Sequence, residues 1–388
     1  MEPRRSLPPP WAISTAALAL SVVVAVAAVW AFGRVRPAAR ALLALALAVP
    51  AGANVAMHVR HVADDRVAGA DLTGLAAALA CVALIGVAVV SAWRAWGTSR
   101  RRGPQRWALR LAAVPAAAAL VPALVMPFAA GISGVHTQRE HVGPAPAGYQ
   151  TVAFRSTDGL RLDGWYHPSR TGAAVLIAHG GGSDRRGSMR HARMLARHDF
   201  GVLVYDTRGA GRSEGPHNSW GWDWERDAAG ALAFLRARPD VEPERVGALG
   251  LSSGADGLVA MAARHHELGA LVADGAAART REDVSRDGST PLGALSARVL
   301  FGASQLMSGT TPGRPLEDAA RDLASPTLFV STRRDLEYRL SRRYAQAAGP
   351  VATHWNLPGA EHTGAIRSHR GAYEARVVGF LEEHLGGR

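Results

Sequence analysis

A serine, an acid and a histidine occur in that order in the C-terminal half of this 388-residue chain, as Ser252, Asp335 and His362. Ser252 stands inside Gly250-Leu251-Ser252-Ser253-Gly254, and His362 closes Pro358-Gly359-Ala360-Glu361-His362. A serine hydroxyl is a poor nucleophile until a base within about 3 Å removes its proton, and imidazole is the side chain whose pKa lies near neutrality. Brought together, these types could carry out acyl transfer through a serine. Glu337, two residues beyond Asp335, could reach the same imidazole. A further run, His179-Gly180-Gly181-Gly182, could let backbone N–H groups approach an anion closely, because glycine has no Cβ to hold the partner away.

Such residues act together only if secondary-structure elements carry them to one place. From residue 149 onward the sequence alternates β-rich text with helix-length segments. Residues 149–154 and 160–167, separated by Ser156-Thr157-Asp158-Gly159, read as a hairpin. Short apolar runs follow at 173–178, 201–205, 246–251, 270–273, 327–331 and 353–357. Continuous apolar strands separated by helical segments predict a mostly parallel sheet covered on both faces, that is, a doubly wound α/β domain. Ligands in such domains sit beyond the carboxyl ends of the strands. Each residue named above leaves a strand at that end. The strand 246–251 runs through the G-x-S-x-G text into an apparent helix at 255–264, and its small residues permit a sharp turn that pushes the Ser252 hydroxyl outward.

On these residues and their order, 149–388 resembles the α/β-hydrolase superfamily. The text from Asp206 to Gly215 is similar to that of esterase, lipase and aminopeptidase-like serine hydrolases. The resemblance implies that Ser252 is the nucleophile, His362 the general base and then acid, and Asp335 the residue that orients the imidazole. It implies an oxyanion hole formed by the backbone N–H groups of Ser253 and of Gly181 or Gly180. It also implies that the roughly 50-residue stretch at about 276–325, longer than an ordinary connection, forms a cap over the site. Its apolar part, 291–309, could wall an acyl pocket or pack on the sheet as a plain helix.

Composition divides the chain in two. The mean hydropathy of +0.01 is high for a soluble enzyme, and residues 1–133 hold nearly all the long apolar runs. Uncharged segments at 11–32, 72–93 and 111–132, with a weaker one at 41–57, approach the roughly 20 residues that a helix needs to cross a bilayer. An all-α transmembrane region of four helices, or three if the second does not insert, is expected over 1–133, followed by a linker over 134–148. The net charge of +12 sits mostly there: residues 1–133 contain 13 Arg against four acids, and the remainder is nearly balanced. Basicity confined between apolar runs points to membrane topology rather than to nucleic acid. The acid-free connection 94–110, with six Arg, is expected on the cytoplasmic side, which puts the C-terminal domain outside the cytoplasm of a bacterial plasma membrane. A re-entrant last segment, rich in proline, would instead leave the domain inside.

The remaining features imply little chemistry. Cys81 is the lone cysteine and lies in an apolar run, so no internal disulfide or thiolate metal site is available. His58 and His61, and the pair His265 and His266, read as surface histidines rather than metal ligands, and no cofactor is expected. Trp220, Trp222 and Trp224 alternate with other residues near a loop and are expected to pack locally. The expected partners are the bilayer and a small-molecule or lipid-like acyl substrate. Two function classes follow: a membrane-anchored serine hydrolase acting on an ester, with thioesterase or peptidase chemistry open to the same triad, and a non-catalytic membrane protein that keeps the domain as a binding or scaffolding module.

Overall fold

The structure, a computed structural model, describes residues 90, 127, 141–215, 219–288, 290–332 and 336–386. The chain divides into two units, Met1–Ser133 and Gly134–Arg388. Of the four apolar segments only Val90 and Pro127 are described; the rest of those segments lies outside the described residues. Among the described residues no helix is long and apolar enough to cross a membrane, so the expected membrane region draws no support from them.

The second unit is built on an eight-stranded sheet: β1 (Gln150–Arg155), β2 (Arg161–His167), β3 (Ala174–Ala178), β4 (Gly201–Tyr205), β5 (Val246–Leu251), β6 (Ala270–Asp274), β7 (Thr327–Ser331) and β8 (Ala352–Asn356). Their order is β1-β2-β4-β3-β5-β6-β7-β8. The expected hairpin pairs β1 with β2 antiparallel, and β2 also runs antiparallel to β4. All other neighbours are parallel. From β3 the chain passes to β4 on one side and then to β5 on the other. The order therefore reverses about β3, and the crevice where such sheets bind ligands opens between the exits of β3 and β5.

The parallel strands are apolar throughout because both faces are covered. Val175, Ile177, Val202, Val204, Leu249 and Leu251 face one core, shared with α1 (Met189–Ala196) and α9 (Arg370–Leu385). Leu176, Leu203, Ala248, Leu271 and Phe329 face the other, shared with α2 (Trp224–Arg236), α3 (Ser253–Ala262) and α7 (Leu336–Ala348). The alternation is the two-residue period of a strand, and each fully buried aliphatic of this size contributes about 1.5–3 kcal/mol.

The connection from β6 to β7 holds α4 (Arg281–Arg286), α5 (Pro291–Ser308) and α6 (Leu316–Ala320). Helix α5 starts where the Thr290 side chain accepts the Gly293 N–H at 3.2 Å, with Pro291 in the first turn, and stops at Gly309 in the left-handed conformation. The chain closes with α8 (Ala365–Ser368) and α9.

Candidate active site

Ser252 leaves β5 with φ 53° and ψ −124°, a left-handed backbone that a non-glycine residue adopts only under constraint. The constraint is visible on both sides. Its N–H donates to the Asp274 carbonyl at 2.8 Å, across to β6, and its carbonyl accepts the Asp256 N–H one turn into α3. The flanking glycines are required by close approach. A Cβ on Gly250 would lie 2.4 Å from Ala255 Cα, and one on Gly254 would lie 2.4 Å from the His179 carbonyl oxygen. The helix begins at Ser253, two residues before the apolar pattern suggests, because the turn consumes a single residue.

The turn presents the Ser252 hydroxyl to His362: Oγ lies 2.9 Å from Nε2, and Nδ1 of the same ring lies 2.6 Å from Glu337 Oε2. With Nδ1–H donating to the carboxylate, Nε2 is left as the acceptor for the serine O–H. The acid on the imidazole is Glu337, in the first turn of α7, and it takes the place assigned to Asp335 from the sequence. Asp335 itself lies outside the described residues. Glu337 is held from behind, since its Oε1 accepts the Thr332 N–H at 2.8 Å and the Thr332 hydroxyl at 3.2 Å. The Glu337 hydrogen bond raises the His362 pKa above its ordinary value against the opposing pull of burial. For Glu337, burial pushes upward, but the hydrogen bonds from His362 and Thr332 outweigh it and the carboxyl titrates lower than usual.

The glycine run after β3 lies against the same turn. A Cβ on Gly180 would sit 3.4 Å from Ser252 Cβ, and one on Gly181 would sit 3.0 Å from Ser253 Oγ. Ser253 is the first residue of α3, where helical N–H groups have no intrahelical acceptor. The glycine run and the start of α3 therefore pack against each other beside Ser252. His179, fully buried, sets the glycine run in place. Its Nδ1–H donates to the Gly180 carbonyl at 2.8 Å, and its Nε2 accepts the Thr207 N–H at 3.1 Å. Burial lowers its pKa, so the ring is neutral, and these two bonds fix one tautomer.

Several buried acids support the site without touching the reacting atoms. Asp206 accepts the Arg185 N–H at 2.9 Å, an Arg185 guanidinium N–H at 2.6 Å and the Arg212 N–H at 2.9 Å, tying the exit of β3 to that of β4. Arg208 likewise binds Asp227 and Asp158. The 206–215 stretch is thus stitched together by ion pairs. Asp274, at the end of β6, accepts the Tyr373 O–H at 2.7 Å, and burial pushes its pKa up to about 7. Asp256 accepts the Ala277 N–H at 2.9 Å, and burial raises it to about 7 as well. Sequence reasoning did not single out His179 as an anchor, nor Asp274, Asp256 or Thr332. The one legible signal was that a charged residue directly follows the apolar run ending at 273.

The connection after β6 packs on the segment holding Trp220 and Trp222. On α5, Ala297 and Phe301 cluster with Trp222, whose indole N–H donates to the Arg279 carbonyl at 2.9 Å. Trp224 is buried against the His179 ring. Neither packs only on its own loop as the sequence suggested, since Trp222 meets α5 and Trp224 meets the exit of β3. Among the described residues no group of three or more His, Cys, Asp or Glu side chains is placed to hold a metal ion. His265 and His266 are bonded instead to Glu267 and to the Ala263 carbonyl.

The profile of the serine aminopeptidase S33 family matches residues 169–343. YfhR of Escherichia coli (strain K12), an uncharacterized protein, is 34% identical over 118 residues, which is 29% of this chain and 41% of that protein. The thiohydrolase aneE of Aspergillus aculeatus is 33% identical over 109 residues, 27% of this chain and 34% of that protein. The chain spans less than half the length of these curated relatives. The esterase Pf2001 of Pyrococcus furiosus superposes with a TM-score of 0.54 at 20% identity, covering 65% of this chain and all of that one. The α/β hydrolase GrgF from Penicillium gives 0.51 at 18%, covering 62% and 99%. At such identities the solved structures speak to fold. Sheet order and family profile together define the class: the domain has the α/β-hydrolase fold. Within it, residues 169–343 are similar to the serine aminopeptidase S33 family.

Proposed function

We propose that this protein is a membrane-anchored serine hydrolase that cleaves an acyl ester through an acyl-enzyme intermediate. Ser252 is the nucleophile, His362 the general base and then acid, and Glu337 the residue that orients and charges the imidazole. In the first half-reaction Ser252 Oγ bonds to the ester carbonyl carbon while its proton passes to His362 Nε2. The oxyanion that develops is received by the N–H groups of Ser253 and Gly181, and an interaction of that kind stabilises a transition state by roughly 3–4 kcal/mol. His362 then gives its proton to the departing alcohol. Water, deprotonated by the same nitrogen, releases the acid and restores the serine.

The observation that carries this reading is the unbroken line from Ser252 Oγ through His362 to Glu337, with steps of 2.9 and 2.6 Å. A non-catalytic scaffold has no need of a positive-φ backbone at a serine whose hydroxyl meets an imidazole that is itself held by a carboxylate. The likeness to a thiohydrolase makes a thioester the second candidate for the scissile group. The test is labelling of the detergent-solubilised full chain with a fluorophosphonate, followed by a panel of ester, thioester and amide substrates. Wild type is expected to label and Ser252→Ala to stay blank. Equal labelling of the two, or none of wild type, sinks the enzyme reading.

A further inference from the structure

A cleft of about 560 Å3 opens beside the nucleophile turn, between α1, the segment 363–367 and Trp165 of β2. Leu251 and Thr363 form part of its wall, so it begins one residue from Ser252 and one from His362. Four arginines line it, namely Arg186, Arg190, Arg193 and Arg367, and no Asp or Glu does. Arg186 is held by Asp184 at 2.6 Å and Arg367 by Glu361 at 3.0 Å. Arg190 and Arg193 are different. They are exposed, three residues apart on one face of α1, and among the described residues neither pairs with a carboxylate.

The same wall contains His191, 3% exposed, with neither ring nitrogen hydrogen-bonded. Burial, reinforced by Arg367 and Arg190, pushes its pKa down to about 3, so the ring is neutral and carries one N–H donor. A buried donor without an acceptor is uncommon in folded proteins. Guanidinium groups bind carboxylate and phosphate oxygens in a fork geometry, and a cleft lined by charge of one sign concentrates the opposite ion.

We propose that this cleft receives an anionic group, a carboxylate or phosphate, carried by the ester that Ser252 attacks, with Arg190 and Arg193 supplying the charge and His191 a neutral donor. The proposal rests on the serine-hydrolase reading for its substrate but not for its anion. The enzyme is then selective for esters with a negative charge away from the scissile bond, and uncharged esters of equal length are poorer substrates.

The experiment has two parts. In the first, kcat/KM is compared for p-nitrophenyl butyrate and mono-p-nitrophenyl glutarate, and for butyryl-glycerol and butyryl-glycerol-3-phosphate. Wild type is expected to favour at least one charged member by about tenfold or more at low salt, and the pair that shows it tells carboxylate from phosphate. The double variant R190A/R193A is expected to lose that ratio, and R190E/R193E to invert it. A ratio near one in wild type, or one that survives both variants, overturns the proposal. In the second part, glutarate and inorganic phosphate are titrated calorimetrically into S252A and into S252A/R190A/R193A. Saturable binding of either anion only when the arginines are present supports the cleft even if no ester is turned over, in which case the hydrolase reading alone falls. Equal or absent binding in both overturns the anion site.

Discussion

Glu337 Oε2 and His362 Nδ1 lie 2.6 Å apart, although 25 residues separate them in the chain, and Glu337 is nearly buried while the ring is partly open to solvent. The pair raises the imidazole's pKa and lowers that of the carboxyl, so each group holds the other in its charged or charge-ready form. In the proposed mechanism His362 acts as a base, which needs the neutral ring. The acidic limb of kcat/KM is therefore expected above pH 6.5, the ordinary value, because the folded-state pKa is raised. Glu337→Gln removes the charge, and the limb moves toward lower pH while kcat falls on the order of 10⁴-fold, the scale seen when an orienting carboxylate is made neutral. Asp335→Asn is expected to cost far less. A larger loss from Asp335→Asn than from Glu337→Gln returns the acid to the position first read from the sequence.

Gly275 follows β6 with φ 73°, and a Cβ there would lie 2.8 Å from His362 Cε1. Gly275→Ala is expected to displace the ring by several tenths of an ångström and reduce kcat by about 10–100-fold with little change in KM, since misplacement by about 1 Å can cost 100-fold. Its Tm should remain within a few degrees of wild type. Unaltered kcat in a folded variant means the ring does not need its present seat.

Gly254 packs α3 onto the exit of β3, where a Cβ would meet the Ala178 and His179 carbonyl oxygens at 2.5 and 2.4 Å. Here the obstacle is backbone and cannot swing aside. Gly254→Ala is expected to lower stability by about 1–3 kcal/mol, as overpacking does, measured by urea unfolding with an unchanged m-value. A neutral substitution would mean that helix and strand can separate without cost.

His179 and His191 are buried and neutral, with folded-state pKa values below 6.5. A depressed histidine binds fewer protons folded than unfolded. Its contribution is fully present above the unfolded value and is lost progressively as pH falls below 6.5 toward the folded value, which for His191 is about 3. His191→Phe removes one of these groups. Between pH 6.5 and 3 its unfolding free energy should decline less steeply than that of wild type, and parallel curves would mean that His191 is not held neutral.

The membrane reading concerns residues 11–132 and is testable by itself. In a Cys81→Ala background, a cysteine placed at exposed Glu244 should react with an impermeant maleimide in whole cells if the domain is outside the cytoplasm. Protection until lysis reverses the sidedness, and recovery of the chain in the soluble fraction removes the anchor.

Much of the domain was legible in the amino acids alone. Eight strands are expected within a residue or two of where they lie, because apolar runs such as 174–178 and 201–205, bounded by polar turns, have few other ways to bury both faces. The sharp turn at Ser252 was legible for the same local reason, since Gly250 and Gly254 announce a backbone too close to its neighbours for any side chain. The histidine was found by its place after the last strand. What sequence order could not decide was which of two nearby carboxylates meets the ring. That depends on where α7 starts relative to β7, and a two-residue difference rotates a side chain by more than half a helical turn. Nor could order reveal that His179 pins the glycine run to Thr207, that Asp274 accepts the Ser252 amide, or that two arginines of α1 face an acid-free cleft beside the reacting hydroxyl. Those relationships join residues from different strand exits, so they come into being only when the sheet closes.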